Sequence, residues 1–410
     1  MEQGSDFVPG DGFSLTESSE TPSLSIIIPA LNDAFGVADY ANHSCKCRRG
    51  LGGYVECEGQ QRVFGTEEAR LDGEKLQHSG ISKPVLTIAI PTYNRAWCLR
   101  ELLTLLVDQI KDEPRIELII SDNASPDDTT SVVGEFVAHG LRVRYIRNDE
   151  NIGPDANFLQ CFEQARGKYV WLFSDDDLIV PGGLARILSY CEVAEYDLIS
   201  LGSYYPFGDS YTPRSLEACN AIEISDPSEY AKLVHVFFTF ISGHIINKDR
   251  VLAAGPKPYS SLVGTALVQL GWAYTALNVF VRGLYIRENL IAVRQNNTGG
   301  YKLFQVFGPT LATITKTWVS SASIAQIVMN GTLLRFWPFW LLKYKKCAKN
   351  FAQEGKPQAV LSSIFKDNIR YWVFAYPVIV LPSVLASVWV FGVRVLNRLD
   401  KAAGSPMLDA

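Results

Sequence analysis

The chain has 410 residues, 47% of them hydrophobic and 20% charged, with a formal net charge of -5. That length buries one large or two ordinary cores, and a mild acidic excess excludes a general nucleic-acid binder, which needs a basic surface. Eight cysteines scattered along the chain suit reduced thiols, and the one tight group, His43, Cys45, Cys47 and Cys57, lacks the spacing of a common zinc knuckle.

The first twenty residues are polar and acidic, without the basic flank and apolar centre of a secretory signal. Residues 1–82 are rich in Gly, Ser, Glu and Gln and read as a poorly structured extension. Its single apolar run, Leu24-Ser25-Ile26-Ile27-Ile28-Pro29, leads into Ala30-Leu31-Asn32-Asp33 and echoes the later Leu86 to Arg95, a partial internal repeat.

From Val85 the pattern alternates: strand 85–91, helix 96–110, strand 116–121, helix 127–139, strand 142–147, helix 154–166, strand 169–174. Short apolar runs separated by helices of about a dozen residues predict βαβ units and a Rossmann-like, mostly parallel sheet, whose ligands sit at the carboxyl ends of the strands. Each strand here ends in a polar cluster: Pro91-Thr92-Tyr93-Asn94-Arg95, Ser121-Asp122-Asn123-Ala124-Ser125, Arg147-Asn148-Asp149-Glu150-Asn151, and Ser174-Asp175-Asp176-Asp177. Together they outline a nucleotide-sized cleft. Three adjacent carboxylates at the mouth of a sheet repel one another and call for a counter-charge, such as Mg²⁺ or Mn²⁺ carrying a diphosphate. An acidic run is also a common solvated loop or helix cap.

Residues 189–294 read as α+β, with a strand at 237–242, a buried helix at 261–278 and a further strand at 284–294. In the tail, Leu333 to Leu342 is aromatic and apolar and runs into Lys343, Lys345, Lys346 and Lys349, the composition of an interfacial anchor on an anionic leaflet. Residues 371–393 then give 23 positions without a charge. That is long enough to cross a bilayer, while Pro377 and Pro382 favour a kinked or re-entrant hairpin; a helix pair buried in the soluble domain is the third reading.

The four polar clusters, in order and at these spacings, resemble the family 2 glycosyltransferases of the GT-A fold over about 85–188. The resemblance returns at Val293-Arg294-Gln295-Asn296-Asn297-Thr298-Gly299-Gly300. It implies a GT-A domain over 83–300, followed by a helical, membrane-associated region over 301–410. It also implies that Pro91, Thr92, Tyr93, Asn94 and Arg95 pack around base and ribose, that Asp122 accepts from the nucleobase, and that Asn151 shapes the donor site. Asp175 and Asp177 would hold the metal, with Asp176 nearby, and Arg294 would neutralise the diphosphate. An acid commonly stands where this chain has Ser174.

The implied reaction is a single displacement with inversion, helped by a base that deprotonates the acceptor. Many relatives place an acidic pair near Gly264, yet Leu262 to Trp272 holds no acid or histidine. His244 is the first candidate for the base because its ordinary pKa suits proton transfer near neutrality, and a packed loop histidine is its bland reading. The FSDDD cluster with RQNNTGG is similar to the abequosyltransferase-type branch, which moves dideoxyhexoses from cytidine diphosphate donors to lipid-linked O-antigen units. The expected partners are therefore a nucleotide sugar, a lipid-linked saccharide and the cytoplasmic face of the inner membrane. Two alternatives stand beside this reading. One is a non-catalytic glycan- or lipid-binding protein on the same fold. The other is a sugar nucleotidyltransferase, which would want a Gly-rich loop where Pro91 to Arg95 stands.

Overall fold

The computed structural model of the protein describes residues 83–204, 220–294 and 301–403. The N-terminal repeat, the His43 to Cys57 group and the Gln295 to Gly300 part of the arginine segment lie outside the described residues.

Strand β1 (Leu86–Thr92) is buried at every position. Its apolar run is continuous rather than alternating because helices cover both faces of the sheet. Helix α1 (Ala96–Ile110) buries Leu99, Leu102, Leu103, Leu106 and Ile110, the helical stripe that its sequence spacing predicts. There follow β2 (Ile116–Asp122), α2 (Thr129–Ala138), β3 (Arg144–Arg147), α3 (Pro154–Gln164) and β4 (Tyr169–Leu172). Pro154 opens α3 at a position whose N–H would have no helical partner. Strands β1, β2, β3 and β4 pair in parallel, and the register sets Thr92 beside Asp122, which brings two of the polar clusters to one edge.

The second half departs from the expected pattern. After β5 (Leu178–Ile179) and α4 (Gly183–Val193) come β6 (Leu198–Tyr204), β7 (Ala221–Ile224), α5 (Pro227–Val234), β8 (His244–Asn247), α6 (Lys248–Ala253), α7 (Leu270–Asn278) and β9 (Gly283–Ala292). The strands complete one sheet of nine, in the order β3-β2-β1-β4-β8-β6-β9-β5 with β7 on β9. It is mixed: β8 runs antiparallel to both β4 and β6, and β5 and β7 run antiparallel to β9. "Mostly parallel" therefore describes the first half alone.

The predicted strand at 237–242 is instead two short 3₁₀ turns, His235–Thr239 and Ile241–Gly243, buried throughout. Its apolar run has no alternation, and the pleat gives it no ladder to join. The predicted helix at 261–278 keeps only its second half. A 3₁₀ turn at Tyr259–Leu262 leads into a loop with Gly264 at φ +89 and Ala266 at φ 63, before α7 begins.

Helices α8 (Leu311–Trp318), α9 (Ala322–Arg335), α10 (Trp337–Cys347), α11 (Pro357–Phe365), α12 (Tyr376–Val380) and α13 (Ser383–Ala403) close the described chain. They share one continuous core with the α/β part. At that seam a Cβ on Gly331 of α9 would stand 2.5 Å from the Cβ of His235, so only glycine allows the approach. The 23-residue uncharged stretch is not one helix: a π turn at Tyr371–Ala375 leads into α12, and the chain breaks at Leu381 and Pro382 before α13. No helix among the described residues is long and apolar enough to cross a membrane.

Candidate active site

The clusters at the ends of β1 and β4 meet. Asp175, Asp176 and Asp177 are each about 95% or more buried, and the guanidinium of Arg95 lies between two of them, 2.9 Å from Asp175 Oδ1 and 3.0 Å from Asp176 Oδ2. Thr92 Oγ1 donates to Asp175 Oδ2 at 2.8 Å, and Ser174 Oγ donates to Asp176 Oδ1 at 2.6 Å. Ser242 closes the back of the loop: its Oγ accepts from Ser174 N at 3.0 Å, and its side chain also bonds Asp177. Arg294 arrives from the end of β9, its backbone N–H donating to Asp177 Oδ1 at 3.3 Å.

Burial dominates the electrostatics. It pushes the Asp175 carboxyl up to about 6, against the pull of Arg95, and it holds Asp177 well above the usual carboxylate range with help from the charge of Asp176. Arg95 is pushed the other way by its own burial, but Asp175 and Asp176 outweigh that and keep its pKa above the ordinary value. Burial thus disfavours the ionised forms of Asp175 and Asp177 by more than the neighbouring groups offset, an imbalance that a further cation would relieve.

That imbalance and the hard oxygen donors fit a divalent cation such as Mg²⁺ or Mn²⁺. Among the described residues no three acidic, histidine or cysteine side chains converge as a ready cage. A full cage is not required, because Mg²⁺ is commonly held by one or two carboxylates and completed by substrate phosphates and water.

Asp122 is fully buried at the end of β2. Its Oδ1 accepts from Ser125 N at 2.8 Å and its Oδ2 from the Tyr145 hydroxyl at 2.6 Å, with Arg147 Nε 3.4 Å away. It therefore orders the loop that would meet a base. Asp127 Oδ1 accepts from Thr129 N and its Oδ2 accepts from Ala96 N at 2.8 Å, so one carboxylate holds the starts of α1 and α2. Asn151 Oδ1 accepts from Asn123 Nδ2 at 2.7 Å and from Gly153 N at 2.9 Å, which ties the third cluster to the second. Of the first cluster, Pro91 is buried, Tyr93 half-buried and Asn94 exposed at φ 55, its N–H bonded to Ser125 Oγ at 2.9 Å.

The guanidinium of Arg294 pairs with Glu101 and lies 4.4 Å over the ring of Trp97, which is 58% exposed at the rim. It is at the site, held beside the acids and not across from them.

His244 is corrected. Its Nε2 faces the carbonyl of Phe237 at 2.7 Å, and since a carbonyl can only accept, Nε2 carries the proton. Nδ1, the nitrogen left to act as a base, takes the Ser200 hydroxyl at 3.0 Å. Burial pushes its pKa down to about 4. It is a satisfied core histidine on β8, not a base open to an acceptor.

Two contributors escaped sequence reasoning. Ser242 was visible only as the end of an apolar run. Asp155, in the first turn of α3, accepts from the backbone N–H groups of Gly264 at 2.8 Å, Ala266 at 2.8 Å and Val268 at 3.4 Å. It therefore shapes the loop where the family's acidic pair was expected. Its only sequence signal is an acid just after Gly153-Pro154.

Residues 87–245 match the family model "Glycosyl transferase family 2". Among curated proteins the chain is similar to the abequosyltransferase RfbV of Salmonella typhimurium, 38% identical over 109 residues, which are 26% of this chain and 33% of that protein. It is also similar to the GalNAc(5)-diNAcBac-PP-undecaprenol beta-1,3-glucosyltransferase of Campylobacter jejuni, 33% identical over 106 residues, 26% of this chain and 34% of that one. The matches thus span about a third of the length of these relatives. Among solved structures, S. aureus TarS 1-349 in complex with UDP-GlcNAc is 14% identical with a TM-score of 0.49, over 78% of this chain and 92% of that chain. The likeness to glycosyl transferase family 2 thus lies in residues 87–245.

Proposed function

We propose that this protein is an inverting glycosyltransferase that moves a sugar from a nucleoside diphosphate donor to a lipid-linked or surface-glycan acceptor, with a divalent cation, at the cytoplasmic face of the inner membrane. The observation that carries it is the meeting of Thr92 and Arg95 with the undercompensated Asp175 to Asp177 cluster, at the strand ends where this class of sheet binds nucleotides.

In this reading the Pro91 to Arg95 segment and Asp122 line the nucleoside, and the Asn123 and Asn151 pair fixes the loop beneath it. Asp175 and Asp177, with Asp176 beside them, would hold the cation, which would supply charge neutralisation at the diphosphate. Arg95 supplies the counter-charge between Asp175 and Asp176, and Arg294 adds a second cation at the rim. The lipid-linked acceptor is supported by the name of the Campylobacter relative, a GalNAc(5)-diNAcBac-PP-undecaprenol glucosyltransferase.

Replacing both metal-site acids, Asp175→Asn with Asp177→Asn, tests it. Transfer to a lipid extract should fall by about 10²-fold or more, the scale set by losing several kcal/mol of charge stabilisation. Unchanged transfer in that variant would overturn the cation reading.

A further inference from the structure

Helix α13 is uncharged from Ser383 to Val393. The fold uses one of its faces, burying Ala386, Val390 and Val393, and leaves the opposite face open, with Val384 76%, Val388 65% and Phe391 65% exposed. A helix that is apolar all round belongs in a core or in lipid. The arm before it folds back alongside: beyond the Leu381 and Pro382 turn, Trp389 Nε1 donates to the carbonyl of Val373 at 3.1 Å. Trp372 and Trp389 are also open, so the two arms present one apolar face. A patch of this extent marks a contact surface.

Charge decides what covers it. Arg370 and Arg394 bound the uncharged stretch on its two sides, each on the part of its arm away from the turn. At the turn end, Lys345 Nζ donates to the carbonyls of Ile379 at 3.0 Å and of Leu381, pinning the end of α10 there; Lys346 and Lys349, just beyond, are exposed. Residues 337–398 hold nine basic residues against two acids, in a chain whose net charge is -5. A symmetric second copy on this face would bring like-charged rims together. An anionic leaflet meets both the apolar face and its cations. The uncharged part of α13 spans about 16 Å at 1.5 Å per residue, against about 30 Å of hydrocarbon, so the hairpin lies along the interface and does not cross.

We propose that the 371–396 hairpin is a monotopic anchor that lies in the plane of an anionic bilayer, open face down and basic ends on the headgroup phosphates. It rests on the transferase reading only for its purpose, which is to hold the cleft near a lipid-linked acceptor.

The test is sedimentation of the full chain with vesicles of phosphatidylcholine alone and of phosphatidylcholine mixed with phosphatidylglycerol. The wild type should pellet with the mixed vesicles and be released in part by salt. Val388→Asp with Phe391→Asp should weaken binding by at least about tenfold, since both side chains would otherwise be buried in the leaflet. Lys346→Glu with Arg394→Glu should remove the preference for the anionic lipid. These exposed positions should leave the melting temperature and donor hydrolysis unchanged. A wild type that stays in the supernatant with both vesicles, or that forms a dimer which the Val388 and Phe391 variant dissolves, overturns the anchor. Vesicle binding without donor hydrolysis in the wild type leaves the anchor standing and counts against the transferase reading alone.

Discussion

Asp175 and His244 are both buried and both shifted, and their surroundings give them opposite meanings. Asp175 is shifted chiefly by burial, which Arg95 offsets only in part and the charge of Asp176 adds to, and a cation beside these acids would relieve that cost. His244 is shifted because it is buried, and with both ring nitrogens bonded nothing remains for it to do to a substrate. Its titration instead affects stability. The imidazole drops from an ordinary 6.5 to about 4 on folding, so its contribution is full above pH 6.5 and is lost as pH falls from 6.5 through 4. The whole effect is on the order of 3 kcal/mol. His244→Gln, which keeps an amide for Phe237 and Ser200, should flatten stability against pH in that window in denaturant titrations. It should also retain transfer near neutrality, whereas losing a general base costs about 10²–10⁴-fold.

At the scale of elements, what was legible in the sequence depended on how the strands are covered. The parallel half reads off directly because β1, β2 and β4 are largely apolar runs between helices, and the polar ends of its strands are contiguous clusters. The second half, where β6 and β9 pair in parallel amid antiparallel neighbours, does not, because β8 has four residues and follows an aromatic run with no alternation, which folds into 3₁₀ turns. The site divides in the same way. Thr92, Arg95 and the three aspartates sit at strand ends and are readable, whereas Asp155 acts on backbone 109 residues away and no local pattern shows it. Asp155→Asn would set an amide N–H₂ against backbone donors, at a cost of about 1–3 kcal/mol. The expected outcome is a lower melting temperature and slower transfer, with nucleoside diphosphate binding retained, as calorimetry on the variant would show.

Over the whole molecule, one core joins the nucleotide-type sheet to the C-terminal helices, so the cleft and the open hairpin are fixed parts of one body. Composition alone placed an apolar, basic tail after the catalytic region. It could not separate a crossing helix from a hairpin, because that depends on where Pro382 breaks the chain and on the return contact from Trp389 to Val373. On the proposed reading such a union would hold the donor site near the membrane surface where a lipid-linked acceptor would be presented.

The most direct test of the central claim is a donor screen of the detergent-purified full chain. UDP-, GDP-, CDP- and dTDP-sugars are offered with Mn²⁺ or Mg²⁺, with and without bacterial lipid extract, and released nucleotide is read. The account predicts release from one nucleotide class, increased by the extract and abolished by chelator. Silence across the panel with extract present, or release that chelator leaves untouched, would contradict a cation-dependent transferase centred on Asp175 to Asp177.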